Sequence, residues 1–210
     1  MFDSRPFIEA LIAGDQAKLA GLTRTALDNG VAARQILNDG LITGMDIIGE
    51  KMENEDMFIP EVLLAAKAMS GILETLKPLL SEGDVRVAGK AVIGTVKGDL
   101  HDIGKNLVAM MLESSGFEVF NLGVDVTPEK FLAAAKENDA DMLCLSALLT
   151  TTMPMMKKVI DAFVESGMRS RVKILVGGAP VTQKYAEEIG ADGFAPDAGS
   201  AVKLAKSILQ

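Results

Sequence analysis

The sequence holds a single histidine, His101, a single cysteine, Cys144, one tyrosine and no tryptophan. One imidazole excludes any centre built from several histidines, so a His-rich zinc site and multi-histidine catalysis fall away. One thiol excludes an internal disulfide framework and fits a reducing compartment. Aromatic residues amount to 4%, too few for a platform on which nucleic-acid bases stack. Basic residues are outnumbered: 21 Lys and Arg stand against 29 Asp and Glu, a formal net charge of −8. Without basic clusters a phosphate backbone has nothing to grip, and nucleic acid is not expected as a partner. No apolar run approaches the roughly 20 residues that span a bilayer, so no membrane association is expected either. The first residues, Met1-Phe2-Asp3-Ser4-Arg5, lack the basic-then-apolar pattern of a secretory signal, and the expected location is the cytoplasm.

What is present is core material. Hydrophobic residues make up 49% of the 210 and charged residues 24%, the balance of a globular chain of one large or two small domains. Up to about residue 80 the apolar period is helical. Val62, Leu63, Ala66, Met69, Ile72, Leu73 and Leu76 recur at spacings of three and four, one stripe of a helix that Pro60 opens and Pro78 ends. Phe7 to Ile12, Gln16 to Leu27 and Val31 to Ile48 read the same way, broken at Gly14-Asp15 and Asn29-Gly30. An all-α four-helix bundle is expected over residues 1–83.

Past the polar stretch Ser81-Glu82-Gly83-Asp84 the period changes. Short apolar strands are expected at Ala91–Val96, Glu118–Leu122, Met142–Leu145, Lys173–Val176 and Gly193–Ala195. Helices alternate with them at Lys105–Ser115, Pro128–Glu137, Pro154–Ser166, Gln183–Ile189 and Ser200–Leu209. Nearly all-apolar strands alternating with helices mean a parallel sheet covered on both faces. The expectation for residues 89–210 is therefore an α/β, doubly wound, flavodoxin-like domain with five parallel strands.

Ligands of such sheets bind beyond the carboxyl ends of the strands. The loop leaving the first strand reads Gly98-Asp99-Leu100-His101-Asp102-Ile103-Gly104 and contains the one histidine, two residues after an aspartate. Three readings compete: a loop histidine with no ligand, a zinc ligand with Asp99 and Asp102 beside it, or one axial imidazole to a metal whose other ligands come from a macrocycle. In the last, Asp99 accepts the second ring N–H and fixes the tautomer. Ser146-Ala147-Leu148 ends the third strand with hydroxyls at Thr150, Thr151 and Thr152 beyond it, and Gly177-Gly178 ends the fourth. All of them fall on one edge of one sheet.

Asp99-x-His101-x-x-Gly104, Ser146-x-Leu148 and Gly177-Gly178, in that order, resemble the signature of cobalamin-binding domains that hold the cofactor with histidine on cobalt. The helical half, with Gly49-Glu50-Lys51-Met52 and Met57-Phe58-Ile59-Pro60-Glu61-Val62, resembles the cap of cobalamin-dependent methionine synthase. Nearly the whole chain is similar to the small corrinoid proteins of methyltransferase systems, which serve methylamine, methanol, glycine betaine or methoxylated aromatic demethylation. The resemblance implies cobalamin or a related corrinoid as cofactor, with cobalt bound by His101. Asp99 becomes the partner of His101, and Thr152 extends the relay where methionine synthases carry a serine. Ser146, Leu148 and Thr150 would meet the displaced nucleotide tail. Gly98, Asp102, Gly104, Gly177, Gly178 and Ala198 would line the corrin or its tail. Met52, Ile59 and Val62 would face the methyl side, Met52 standing where methionine synthases have an aromatic.

The implied function is a subunit that carries a methyl group on cobalt, not a stand-alone catalyst, in anaerobic one-carbon metabolism. Its implied partners are a methyl-donor methyltransferase of barrel type, an acceptor methyltransferase using a folate or a thiol, and a reductive activating protein. The segment Ser81–Gly89 would be the hinge on which the helical cap moves. The alternatives are the cobalamin subunit of an adenosylcobalamin mutase, disfavoured by the helical half, and a cobalamin-based sensor, for whose DNA-binding part there is no room. A phosphoreceiver would need an aspartate where the third strand ends in Leu145-Ser146.

Overall fold

The computed structural model describes residues 2–80 and 88–209. The expected hinge therefore lies outside the described residues except for Ala88 and Gly89. The chain divides into two compact units, a helical one before residue 88 that also takes in Ser114–Gly116, and a second, Ala88–Glu113 with Phe117 onward, that holds the sheet.

In the helical unit, α1 spans Arg5–Ile12 and α2 Gln16–Asp28. A short α3, Ala33–Gln35, runs through a π-helical stretch, Ile36–Ile42, directly into α4, Thr43–Glu53. The last helix, α5, spans Ile59–Leu76. The starts of α2 and α5 have a local cause. Asp15 accepts the N–H of Lys18 at 2.9 Å, and Glu61 reaches back to the N–H of Phe58 at 2.8 Å, so donors that the first turn leaves unpaired are satisfied. The third helix starts two residues later than expected and ends at Glu53 instead of Ile48. Its last turn carries few apolar residues, so periodicity gives no sign of it. On α5 the buried stripe is Val62, Ala65, Ala66, Ala68, Met69, Ile72 and Leu76. Leu63 points outward at 39% exposure, while the small Ala65 and Ala68 face inward. The helices also approach closely: a Cβ on Gly44 would lie 2.7 Å from Leu11 Cδ1, so any side chain there would make Leu11 shift where α1 and α4 pack.

The second unit is a five-stranded, wholly parallel sheet in the order β2-β1-β3-β4-β5. Its strands are β1 Gly89–Thr95, β2 Phe117–Asn121, β3 Met142–Ser146, β4 Lys173–Gly177 and β5 Gly193–Phe194. The connecting helices are α6 Ile103–Ser114, α7 Pro128–Glu137, α8 Pro154–Glu165, α9 Gln183–Ile189 and α10 Ala198–Ile208. The core residues of β1, β3 and β4 are buried and apolar, and Phe131 on α7 and Phe163 on α8 are fully enclosed, each ring contributing roughly 1.5–3 kcal/mol by leaving water. A Cβ on Gly94 would sit 2.8 Å from the Phe131 ring, so glycine in mid-strand admits α7 to the sheet. Two helix starts move: α6 begins two residues before the expected Lys105, and α10 begins at Ala198, where Asp197 accepts the Ser200 N–H at 2.8 Å. The strand order reverses between β1 and β3, which opens the crevice at their carboxyl ends. Among the described residues no helix is long and apolar enough to cross a membrane.

Candidate functional site

The loops after β1 and β3 meet at that reversal point, and one carboxylate joins them. Asp99 is fully buried. Its Oδ1 lies 2.8 Å from His101 Nδ1 and accepts the His101 backbone N–H at 3.1 Å. Its Oδ2 accepts the Leu148 N–H at 2.8 Å, the Leu149 N–H at 3.2 Å and the Thr152 hydroxyl at 2.7 Å. Burial by itself would raise the pKa of Asp99. The hydrogen bonds from Thr152, His101 and the Leu148 amide outweigh it and hold the carboxyl well below the usual carboxylate range.

An ionised Asp99 can only accept, so the Nδ1 that faces it carries a proton, and in the neutral ring the lone pair is then on Nε2. The ring itself is half-exposed, with 51% of its side-chain surface accessible. Thr95 fixes the backbone beneath it, donating its hydroxyl to the His101 carbonyl at 2.9 Å. The result is one oriented imidazole on a rigid base.

The other expected residues fall into three groups. Gly98, at φ +84, and the half-buried Asp102 belong to the same loop, while Gly104 lies in the first turn of α6, where a Cβ would meet nothing within 4 Å. Ser146 ends β3 in register with Thr95 on one side and Gly177 on the other, and Leu148 and Thr150 are exposed just beyond it. Gly178 adopts φ +127, and a Cβ there would fall 1.9 Å from the Ala147 carbonyl oxygen. The fold itself therefore needs that glycine, because the loops after β3 and β4 touch. Ala198 is buried in the first turn of α10. Met52, Ile59 and Val62 belong to the helical unit: Met52 is half-buried near the end of α4, Ile59 opens α5 at 47% exposure, and Val62 is buried.

Sequence reasoning missed several groups at this edge. Asp125, in the loop after β2, bonds the backbone on both sides of Asp99. Lys105 is only 3% exposed and donates to Asn121 Oδ1 at 2.7 Å, in a chain that continues from Asn121 to Asn106 and on to Asp102. Leu100 and Ile103 flank His101 with 72% and 85% exposure. The one signal available was position, since the loop after β2 opens on the same edge. Cys144 takes no part: it is buried in β3, and burial pushes its thiol up to about 12.

The donor set decides which metal chemistry fits. Among the described residues no group of three or more His, Cys, Asp or Glu could hold a metal ion. A bare zinc or iron ion needs such a set. A single imidazole whose other nitrogen is held by a carboxylate suits a metal that brings its remaining ligands in a macrocycle.

A doubly wound sheet offering one oriented imidazole at its switch point, preceded by a helical unit, is the construction of a corrinoid-binding protein. A family model described as a B12 binding domain matches residues 89–203, and a second model of the same description matches residues 4–77. The chain belongs to this B12-binding family. It is 42% identical to a corrinoid protein of Desulfitobacterium hafniense over 206 residues, covering 96% of this chain and 94% of that one. It is 47% identical to dimethylamine corrinoid protein 1 of Methanosarcina acetivorans over 176 residues, 83% of each chain. Among solved structures, the methanol:cobalamin methyltransferase complex of Methanosarcina barkeri matches with a TM-score of 0.86 and 31% identity, over 97% of this chain and 78% of that one.

Proposed function

We infer that this chain carries a methyl group on the cobalt of a bound corrinoid between methyltransferases. The observation that carries the reading is the contact of Asp99 Oδ1 with His101 Nδ1 at 2.8 Å, which leaves Nε2 as the one nitrogen able to ligate a metal. When bound, the corrinoid supplies a cobalt that accepts a methyl group and gives it up. The protein's own groups hold and tune that metal. His101 would hold the cobalt through Nε2. Asp99 fixes its tautomer and increases its donor strength, and Thr152 with the Leu148 and Leu149 amides keeps Asp99 ionised.

Gly98, Asp102, Gly104, Ser146, Leu148, Thr150, Gly177, Gly178 and Ala198 are assigned to the macrocycle and its nucleotide tail. At Gly104 a Cβ would meet nothing within 4 Å, so its assignment, like the others, rests on the family likeness. Met52, Ile59 and Val62 are assigned the shielding of the methyl group, an assignment that rests on the family likeness.

Activation of a C–N or C–O methyl donor is left to partners. His101 and Asp99 bind each other, the lone thiol is buried, and no second imidazole exists. The partners are a donor methyltransferase of barrel type for methylamine or methanol substrates, an acceptor methyltransferase with a folate or thiol acceptor, and an activating protein that restores reduced cobalt. Such work belongs in the cytoplasm of an anaerobe.

Reconstitution with hydroxocobalamin under reducing conditions tests the reading. The full chain should take up the cofactor, and its Co(II) form should show superhyperfine splitting from the histidine nitrogen in electron paramagnetic resonance, a triplet that becomes a doublet when the chain carries 15N-labelled histidine. His101→Ala should keep part of the binding and lose that splitting. A chain that stays colourless, or a His101→Ala protein with the splitting intact, would overturn it.

A further inference from the structure

The loop that carries His101 is held from outside its own motif by Asp125. The Oδ1 of Asp125 accepts the Gly98 N–H at 2.7 Å, and its own N–H donates to the Asp99 carbonyl at 3.1 Å. The pair of bonds brackets the Gly98-Asp99 dipeptide from one side. Asp125 makes this grip at φ +54, a left-handed conformation that few residues other than glycine adopt and that Asp and Asn tolerate best.

The segment that presents Asp125 is itself anchored. Asn121 Oδ1 accepts the Gly123 N–H at 3.0 Å and the buried Lys105 ammonium at 2.7 Å. Thr95 N–H donates to the Gly123 carbonyl and Val126 N–H to the Thr95 carbonyl, both at 3.0 Å. A residue in an uncommon conformation, fixed on both flanks and aimed at the backbone beside a functional carboxylate, is what positioning of a site demands.

We propose that Asp125 is a positioning residue, which sets the Gly98-Asp99 backbone and through it the placing of His101 for axial ligation. The proposal rests on the reading of His101 as the cobalt ligand. The bonds of Asp125 go to the backbone of Gly98 and Asp99, so it works through the peptide that carries Asp99.

Two substitutions in the full chain separate its parts. Asp125→Gly keeps the left-handed backbone and the bond to the Asp99 carbonyl but removes the acceptor for Gly98. Asp125→Asn keeps an acceptor oxygen and suits the same φ. The first measurement is amide hydrogen exchange at Gly98 in the cofactor-free chain. The second is the fraction of histidine-ligated cobalt, read from the absorption spectrum after loading with hydroxocobalamin. Asp125→Gly should speed Gly98 exchange and shift the ligation equilibrium away from histidine by about fivefold each, the effect of one lost hydrogen bond. Asp125→Asn should restore most of both.

Unchanged exchange or unchanged ligation in Asp125→Gly overturns the proposal, as does an Asp125→Asn protein that fails as badly as Asp125→Gly. If the unaltered chain binds no corrinoid, the functional reading fails instead, and the exchange comparison alone decides whether Asp125 holds the loop.

Discussion

Thr152 and Asp99 meet at 2.7 Å, hydroxyl to Oδ2, across the loops that leave neighbouring strands. The opposite oxygen of the same carboxylate faces His101. Thr152 is nearly buried, at 7% exposure, so water cannot replace its hydroxyl freely. Thr152→Val keeps the shape and removes the donor. It should cost about 2 kcal/mol, the range for a hydrogen bond to a charged group, read as a lower urea midpoint of the cofactor-free chain. Thr152→Ser should stay within about 1 kcal/mol of the parent, because the hydroxyl remains and only a methyl group is lost.

Asp99 also sets an acid dependence. Its pKa in the folded chain is lowered, burial being outweighed by the bonds from Thr152, His101 and Leu148. The unfolded chain therefore binds a proton at Asp99 before the folded chain does, and stability falls with pH once the ordinary carboxylate value of about 3.9 is passed. Above that value the contribution is fully present; it disappears as pH drops through the lowered folded value. The stability gap between the parent and Asp99→Asn should be widest near neutrality and narrow below about pH 4. Urea unfolding at pH 7, 5 and 3.5 checks it, and a gap independent of pH would show that ionisation of Asp99 contributes nothing.

The alternation of apolar strands and amphipathic helices made the parallel sheet legible, since short continuous apolar runs and a period of 3.6 leave different marks on a sequence. The loop from Gly98 to Gly104 stood out because it holds the one histidine at a strand's carboxyl end. Asp125 did not stand out. It lies 27 residues from the Gly98 amide it binds, and only the sheet order, with β2 beside β1, makes them neighbours. Lys105 did not stand out either, for a lysine on an amphipathic helix carries no mark of burial until the fold supplies Asn121 as its partner. The π-helical stretch at Ile36–Ile42 leaves no periodic signal of its own, because a few widened turns do not change which residues are apolar. The glycine pair was legible as special, and at Gly178 the neighbouring Ala147 carbonyl is one reason that only the fold supplies.

That neighbour gives a test of packing at the site edge. At Gly178 both the φ of +127 and the Ala147 oxygen 1.9 Å from an added Cβ oppose any side chain. Backbone atoms on the other side cannot turn away as a flexible side chain could. Gly178→Ala should destabilise the chain by about 3 kcal/mol or more, the level of combined backbone strain and overpacking. Gly104→Ala meets nothing within 4 Å and should leave unfolding unchanged or gain a few tenths of a kcal/mol from helix propensity. Thermal unfolding of the two cofactor-free proteins makes the comparison, and similar melting temperatures would contradict the close approach at Gly178.

Lys105 should give the alkaline counterpart. Burial lowers its pKa, with the charge of Asp102 acting weakly the other way. The folded chain then releases this proton at a lower pH than the unfolded chain, whose lysine titrates near 10.4. Between those two values the unfolded state binds more protons, so the contribution of Lys105 to stability rises with pH. Lys105→Met keeps a long unbranched side chain in the same space without a charge to desolvate. It removes one donor to Asn121 Oδ1, which still accepts the Gly123 N–H, so no buried acceptor is left bare. The variant should lie within about 1 kcal/mol of the parent at pH 7, as replacements of buried charge by apolar volume often do. The parent should gain on it as pH rises above neutrality towards the unfolded value of about 10.4. Urea midpoints across that interval decide the matter, and parallel pH profiles for the two proteins would mean that the buried ammonium is fully compensated by its amide partner.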